Sequence, residues 1–117
     1  MQNLKIKDRT YHYSIKIIEF LDRLPKDLSS NVIVNQLIRS ATSVGANIAE
    51  AQACNTRKDF TNFMHHSLKS ANESLYWLGL LRDAKKISNF DLNYLFQETK
   101  ELSNILGSSL LSLKGKN

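Results

Sequence analysis

The sequence predicts an all-α fold, an antiparallel up-down-up-down four-helix bundle, and three observations carry that prediction. Apolar residues recur at steps of three and four through most of the chain. Only one proline (Pro25) and four glycines interrupt the 117 residues, which favours long helices over many turns. The links between periodic stretches are short and polar, so successive helices become antiparallel neighbours. A chain of this length forms one domain able to bury its own core.

Residues 1–9 alternate through Leu4-Lys5-Ile6-Lys7 and read as a flexible basic arm, with Lys5, Lys7 and Arg9 against Asp8. The first helix spans about 10–24. Thr10 is its cap, and Tyr11, Ile15, Ile18, Leu21 and Leu24 form its buried stripe. Pro25 ends it, because the residue before a proline is driven out of the α region.

The second helix spans about 31–53, opened by Ser30 or Asn31. Its apolar stripe is Val34, Leu37, Ile38, Ala41, Val44, Gly45, Ile48 and Ala49. A polar stripe of Ser40, Ser43, Asn47 and Glu50 runs beside it. That stripe is either a partly buried side satisfied by hydrogen bonds, or a place where Asn47 and Glu50 make a register-setting contact between helices or subunits.

Thr56-Arg57-Lys58-Asp59 opens the third helix, about 57–85, as a capping box with Asp in the acidic position. Arg57 and Lys58 lie in its first turn, the unfavourable end for cations, and a bound anion such as a phosphate would account for them. The core stripe is Phe60, Phe63, Met64, Ser67, Leu68, Ala71, Leu75, Leu78 and Leu81. Between Leu75 and Leu81 the helix is apolar on every face. That places Tyr76, Trp77 and Leu80 away from the core, as candidates for a subunit interface. Ser88-Asn89-Phe90-Asp91 opens the fourth helix, about 89–114, which buries Leu92, Leu95, Phe96, Thr99, Leu102, Leu106, Leu110 and Leu113. Residues 115–117 form a frayed tail.

Chemistry-bearing patterns are scarce. No Glu is followed three residues later by His, and the adjacent His65 and His66 point about 100° apart on a helix. His12 stands alone, and there is no nucleophile elbow or phosphate-binding glycine loop. The single Cys54 excludes an internal disulfide and suits a reducing compartment. Its position near Arg57 and Lys58 can lower a thiol pKa, but it reads as a small filler. The sequence therefore predicts no enzyme, no cofactor and no metal. With no signal-peptide core and no span of membrane length, it also predicts a cytoplasmic protein.

Charge is the positive signal. The net charge is +5, and from Thr56 to Lys86 six cations oppose three acids. The stretch of helix four from Asp91 to Glu101 instead carries Asp91, Glu98 and Glu101 against Lys100. Lys58, Asn62, His65 and Lys69 share an outer face of helix three, with Arg39 nearby from helix two. Arg39, Arg57, Lys58 and Lys69 are the candidate contacts to an RNA or DNA backbone, whose binding would weaken with salt. The competing class is a scaffold that docks a protein partner, its basicity incidental.

One stretch also resembles a known family. Asn47, Ile48, Ala49, Glu50, Thr56, Asp59 and Phe60 follow the pattern Asn-Ile-Ala-Glu-Gly-x-Gly-Arg-x-Ser-x-x-Glu-Phe, with Thr for Ser and Asp for Glu. This is similar to the signature of the "four helix bundle protein" family. Its founding members are encoded in intervening sequences of bacterial 23S ribosomal RNA genes and are often labelled S23 ribosomal proteins. Ala51 and Ala53 stand where that family usually has Gly, and Cys54 where it usually has Arg. The resemblance runs from about Tyr11 to Lys114. It implies a homo-oligomer, a pentamer by analogy with the accessory protein of diversity-generating retroelements. That relative's basic surface is implicated in binding nucleic acid and a reverse transcriptase.

Overall fold

The structure, a computed structural model, describes residues 5–87 and 89–115. Four helices follow one another: α1 (Ile6–Leu21), α2 (Leu28–Gln52), α3 (Arg57–Asp83) and α4 (Phe90–Lys114). Every neighbouring pair that closes the bundle runs antiparallel, and the cross-links show it. Ser40 meets Ser74 while Val44 meets Ser67, so α2 and α3 run in opposite directions. Asn72 meets Ser103 while Arg57 reaches Leu113, which does the same for α3 and α4. Arg9 reaches Glu98 and Glu101 while Arg23 reaches Asp91, closing α1 onto α4. The up-down-up-down bundle predicted from periodicity is the fold observed.

Local chemistry sets the helix starts. The Asp27 carboxylate accepts the Ser30 N–H at 2.9 Å, so α2 opens three residues earlier than Ser30 would open it and four earlier than Asn31 would. Thr56 caps α3 by accepting the Asp59 N–H at 3.1 Å, as its box predicts. Asn89 caps α4 through the Leu92 N–H at 2.8 Å; Ser88, the first residue of the predicted box, lies outside the described residues. After α3 the chain turns through Lys86 in the left-handed region (φ 59°), and the Ile87 N–H closes onto the Leu81 carbonyl at 3.1 Å.

The basic arm needs correcting. Residues 1–4 lie outside the described residues, but Ile6 to Arg9 form the first turn of α1 and do not make an extended arm. Arg9 is held there by a two-pronged bond to Glu98, both distances 2.8 Å, and by Glu101 at 2.8 Å. Bidentate charge-assisted pairing of this kind is the strong form of an ion pair. Thr10 is accordingly not a cap. It is buried inside α1 and donates back to the Ile6 and Lys7 carbonyls.

The buried stripe of α1 also differs. Thr10, Tyr13, Ile17, Phe20 and Leu21 face inward, whereas Tyr11, Ile15 and Ile18 are exposed. Two apolar stripes compete on this helix, and the partners on the other helices decide between them. Tyr13 places its hydroxyl 2.6 Å from Thr99 Oγ1 on α4, and Thr99 donates onward to the Leu95 carbonyl at 2.6 Å. At the same depth Ser40 Oγ and Ser74 Oγ lie 2.9 Å apart, and Ser74 donates to the Ser70 carbonyl. One hydroxyl from each helix thus builds a polar layer in the middle of the core. Burial pushes the Tyr13 phenol up to about 12, opposed by the nearby Thr99 and Ser74 hydroxyls. Apolar side chains pack around this layer, among them Ile17, Leu37, Val44, Ile48, Leu78, Leu81, Leu95, Leu102 and Leu106.

At Thr10 and Gly45 the backbones of α1 and α2 come close together. A Cβ at Gly45 would lie 3.2 Å from both the carbonyl and the hydroxyl oxygen of Thr10, whereas one at Gly107 on α4 would meet nothing within 4 Å. Glycine in a helix interior costs about 1 kcal/mol relative to alanine. Gly107→Ala should therefore raise the unfolding free energy by about 1 kcal/mol in urea denaturation. Gly45→Ala should fail to show that gain, because the new methyl presses on the α1 backbone.

Asp27 makes stability sensitive to acid. Its carboxyl is lowered from 3.8 to about 2, first by the Ser30 backbone N–H and then by the Lys85 ammonium at 3.1 Å. A depressed carboxylate stabilises the fold fully above its unfolded value and loses that contribution as pH falls through the folded one. Stability should decline from about pH 4 towards pH 2. Asp27→Asn, which keeps a capping oxygen without the charge, should flatten that part of the profile in pH-dependent denaturation.

Candidate functional site

The cations concentrate along α3. A helix advances 100° per residue, so Lys58, Asn62, His65, Lys69, Asn72 and Tyr76 fall within about 40° of one line running about 27 Å along its axis. All of these except the half-buried His65 are exposed. No carboxylate lies on the line between Lys58 and Tyr76. The sequence forces this arrangement, because Met64, Ser67, Ala71, Ser74 and Leu78 claim the opposite side of α3 for the core.

At the N-terminal end of this line, α3 meets the last turn of α4. Arg57, Lys58, Thr61, Asn62, Leu113 and Lys114 line an open cleft of about 350 Å³. Three of these six residues are cationic and none is acidic. The Arg57 guanidinium donates to the Leu113 carbonyl at the end of α4, which draws it over the cleft. Lys114 was missed in the sequence because its approach to Arg57 depends on how α4 closes against α3, 56 residues along the chain. Its only local signal was a cation at a helix C-terminus.

The four predicted contacts are not equivalent. Arg57 and Lys58 share the cleft, and Lys69 continues the line beyond it. Arg39 is different: its guanidinium is paired with Glu73 of α3 and bonded to Gln36. Its charge is largely answered within the protein.

Glu73 also accepts the Trp77 indole N–H at 2.8 Å, so Arg39, Glu73 and Trp77 form one chain of contacts beside the line. Trp77 and Leu80 do not point away from the bundle. Both are half-buried and packed against the core, and only Tyr76 stands out, 62% exposed. The Tyr76 ring meets the Trp77 ring edge-on, centroids 5.0 Å apart. The apolar run Leu75–Leu81 therefore covers the flank of the core, because α3 is packed on two sides, by α2 and by α4.

The polar motif on α2 divides as well. Asn47 donates to the Ser43 carbonyl and hydroxyl at 2.8 and 2.9 Å, a bond within its own helix. Glu50 is exposed, and its carbonyl accepts the Cys54 thiol at 3.3 Å. Ser40 is the member that crosses to another helix. The Cys54 thiol is raised from its ordinary value by desolvation first, then by Asp59 and Glu50, the reverse of what the neighbouring cations suggested.

Among the described residues no three His, Cys, Asp or Glu side chains gather as a metal site, and no helix is long and apolar enough to cross a membrane. A second surface lies between α1 and α2. Lys7, Asp8, Tyr11, Ser14, Thr42, Gly45, Ala46 and Ala49 enclose a largely apolar groove of about 450 Å³, beside the exposed Ile15 and Ile18.

Comparison with known proteins places this arrangement in a family. No curated protein matches the chain. A solved structure does: a crystal structure of a protein with unknown function from the S23 ribosomal protein family of Bacteroides thetaiotaomicron VPI-5482. The two chains are 31% identical with a TM-score of 0.82, and the match covers 91% of this chain and 98% of that one. The sequence model of the 23S rRNA-intervening sequence proteins matches residues 2–108. Fold and sequence agree, and the chain belongs to the 23S rRNA-intervening sequence protein family.

Proposed function

We propose that this protein is a non-enzymatic helical bundle that holds the phosphate backbone of RNA or DNA on the outer line of α3 and in the cleft at its N-terminal end. The observation that carries the reading is that, among the described residues, no carboxylate side chain lines that cleft, where Arg57, Lys58 and Lys114 converge. Five other cations are answered by acids: Arg9 by Glu98, Arg23 by Asp91, Arg39 by Glu73, Arg82 by Asp83 and Lys85 by Asp27. Unanswered positive charge beside amide and hydroxyl donors suits phosphodiester oxygens, and it positions a strand without reading its bases.

The reading includes self-association, for which the apolar groove between α1 and α2 offers a surface. Tyr11 lines it, and Tyr11, Ile15 and Ile18 repeat at helical spacing on α1 and are not covered by the chain's own core. The same groove favours the alternative, a scaffold that docks a protein and makes no contact with nucleic acid. The two readings separate on charge.

Fluorescence anisotropy of a labelled structured RNA provides the test. If Arg57, Lys58, Lys69 and Lys114 each neutralise a phosphate, affinity should fall roughly a hundredfold between 50 and 200 mM salt. The paired change Lys58→Glu and Lys69→Glu should abolish binding while leaving the helical circular dichroism intact. Binding that ignores both salt and charge reversal would contradict the proposal, and a variant that still docks a protein partner would favour the scaffold.

A further inference from the structure

We infer that Tyr76 is a base-stacking platform at the far end of the α3 line, and that the ligand is an unpaired nucleic-acid strand. This rests on the phosphate-binding reading above and specifies its ligand. Lys58 and Tyr76 are 18 residues apart, five whole helical turns, so they point in the same direction at opposite ends of the line. Lys69 lies between them, about 10 Å short of Tyr76 along the axis.

Three observations distinguish Tyr76 from an ordinary surface tyrosine. It is 62% exposed, although the residues on either side of it, Leu75 and Trp77, are half-buried. Its ring meets Trp77 with the two planes 76° apart, so it does not stack flat on its neighbour. Trp77 in turn is held by Glu73, and Glu73 by Arg39, so the support beneath the ring is fixed by hydrogen bonds and an ion pair. A ring already positioned loses little freedom when a base stacks on it, and stacking is worth about 1–3 kcal/mol per base.

A cationic track that ends in an exposed aromatic is the pattern of single-strand binding, because bases inside a duplex offer no face to a side chain. The length agrees. At about 3.4 Å per nucleotide along one strand, the line from Lys58 to Tyr76 accommodates roughly eight stacked nucleotides.

The test compares a labelled, unstructured 12-nucleotide RNA with the blunt duplex of the same sequence at low salt. Tyr76→Ala should weaken single-strand binding by about five- to a hundredfold, and Tyr76→Phe should retain it within about twofold because the ring remains. Duplex binding should be unaffected by either change. Size-exclusion chromatography and thermal unfolding of the same variants read assembly and fold. Equal losses on both probes, no loss on either, or a Tyr76→Ala protein that changes its assembly state would overturn the inference. If Lys58→Glu with Lys69→Glu removes binding and Tyr76→Ala does not, the stacking role falls and the phosphate reading stands. If the unaltered protein binds neither probe, both fall together.

Discussion

The hydroxyl layer formed by Tyr13, Ser40, Ser74 and Thr99 is the constraint on which the rest of the bundle depends. Leucine-rich helices can slide or rotate against one another at small cost, since one aliphatic contact substitutes for the next. A buried hydroxyl has no such freedom, because leaving it unpaired costs about 1–3 kcal/mol. Here each helix contributes one, and every side-chain polar atom buried among the described residues has a partner. The Ser40–Ser74 and Tyr13–Thr99 pairs join the helices at one depth, while Ser67 donating to the Val44 carbonyl repeats the lock between α2 and α3.

Fixing the rotation of α3 fixes what it shows to solvent. With Ser67 and Ser74 turned inward, the residues half a turn away must face outward, and these are Lys58, Asn62, Lys69, Asn72 and Tyr76. Several other cations are drawn to a carboxylate, as Arg39 is to Glu73 and Arg9 to Glu98. Lys58 and Lys69 have no acid on their own line, and α4 delivers Lys114 to the same end. The exposed charge pattern therefore follows from the register of the core.

Much of this was legible in the sequence, unevenly and for physical reasons. Helix α4 was readable because it has one dominant apolar stripe, and the residues predicted for it are those it buries or packs at the core's edge; α3 was readable only up to Leu75–Leu81, where every face is apolar and Trp77 and Leu80 pack against the core. Helix α1 was not, since Tyr11-Ile15-Ile18 and Tyr13-Ile17-Phe20 have equal spacing and similar hydrophobicity. Only the partners on other helices select the second, and they lie beyond any local window: Thr99 for the Tyr13 hydroxyl and Gly45 for the crossing at Thr10. The first turn of α1 escaped notice for the same reason, because the carboxylates holding Arg9 lie about 90 residues away. In the site, Arg57, Lys58 and Lys69 were visible as charge. The pairing of Arg39, the anchoring of Trp77 and the arrival of Lys114 required the assembled bundle.

The most direct test of this account is a map of amide chemical-shift changes in the whole protein as an unstructured RNA strand is added. The account predicts changes that follow the outer line of α3, at Asn62, Lys69 and Tyr76, and reach Lys114 at the end of α4. Changes centred on Tyr11, Thr42 and Ala46, with α3 silent, would contradict it and would place the ligand in the apolar groove instead.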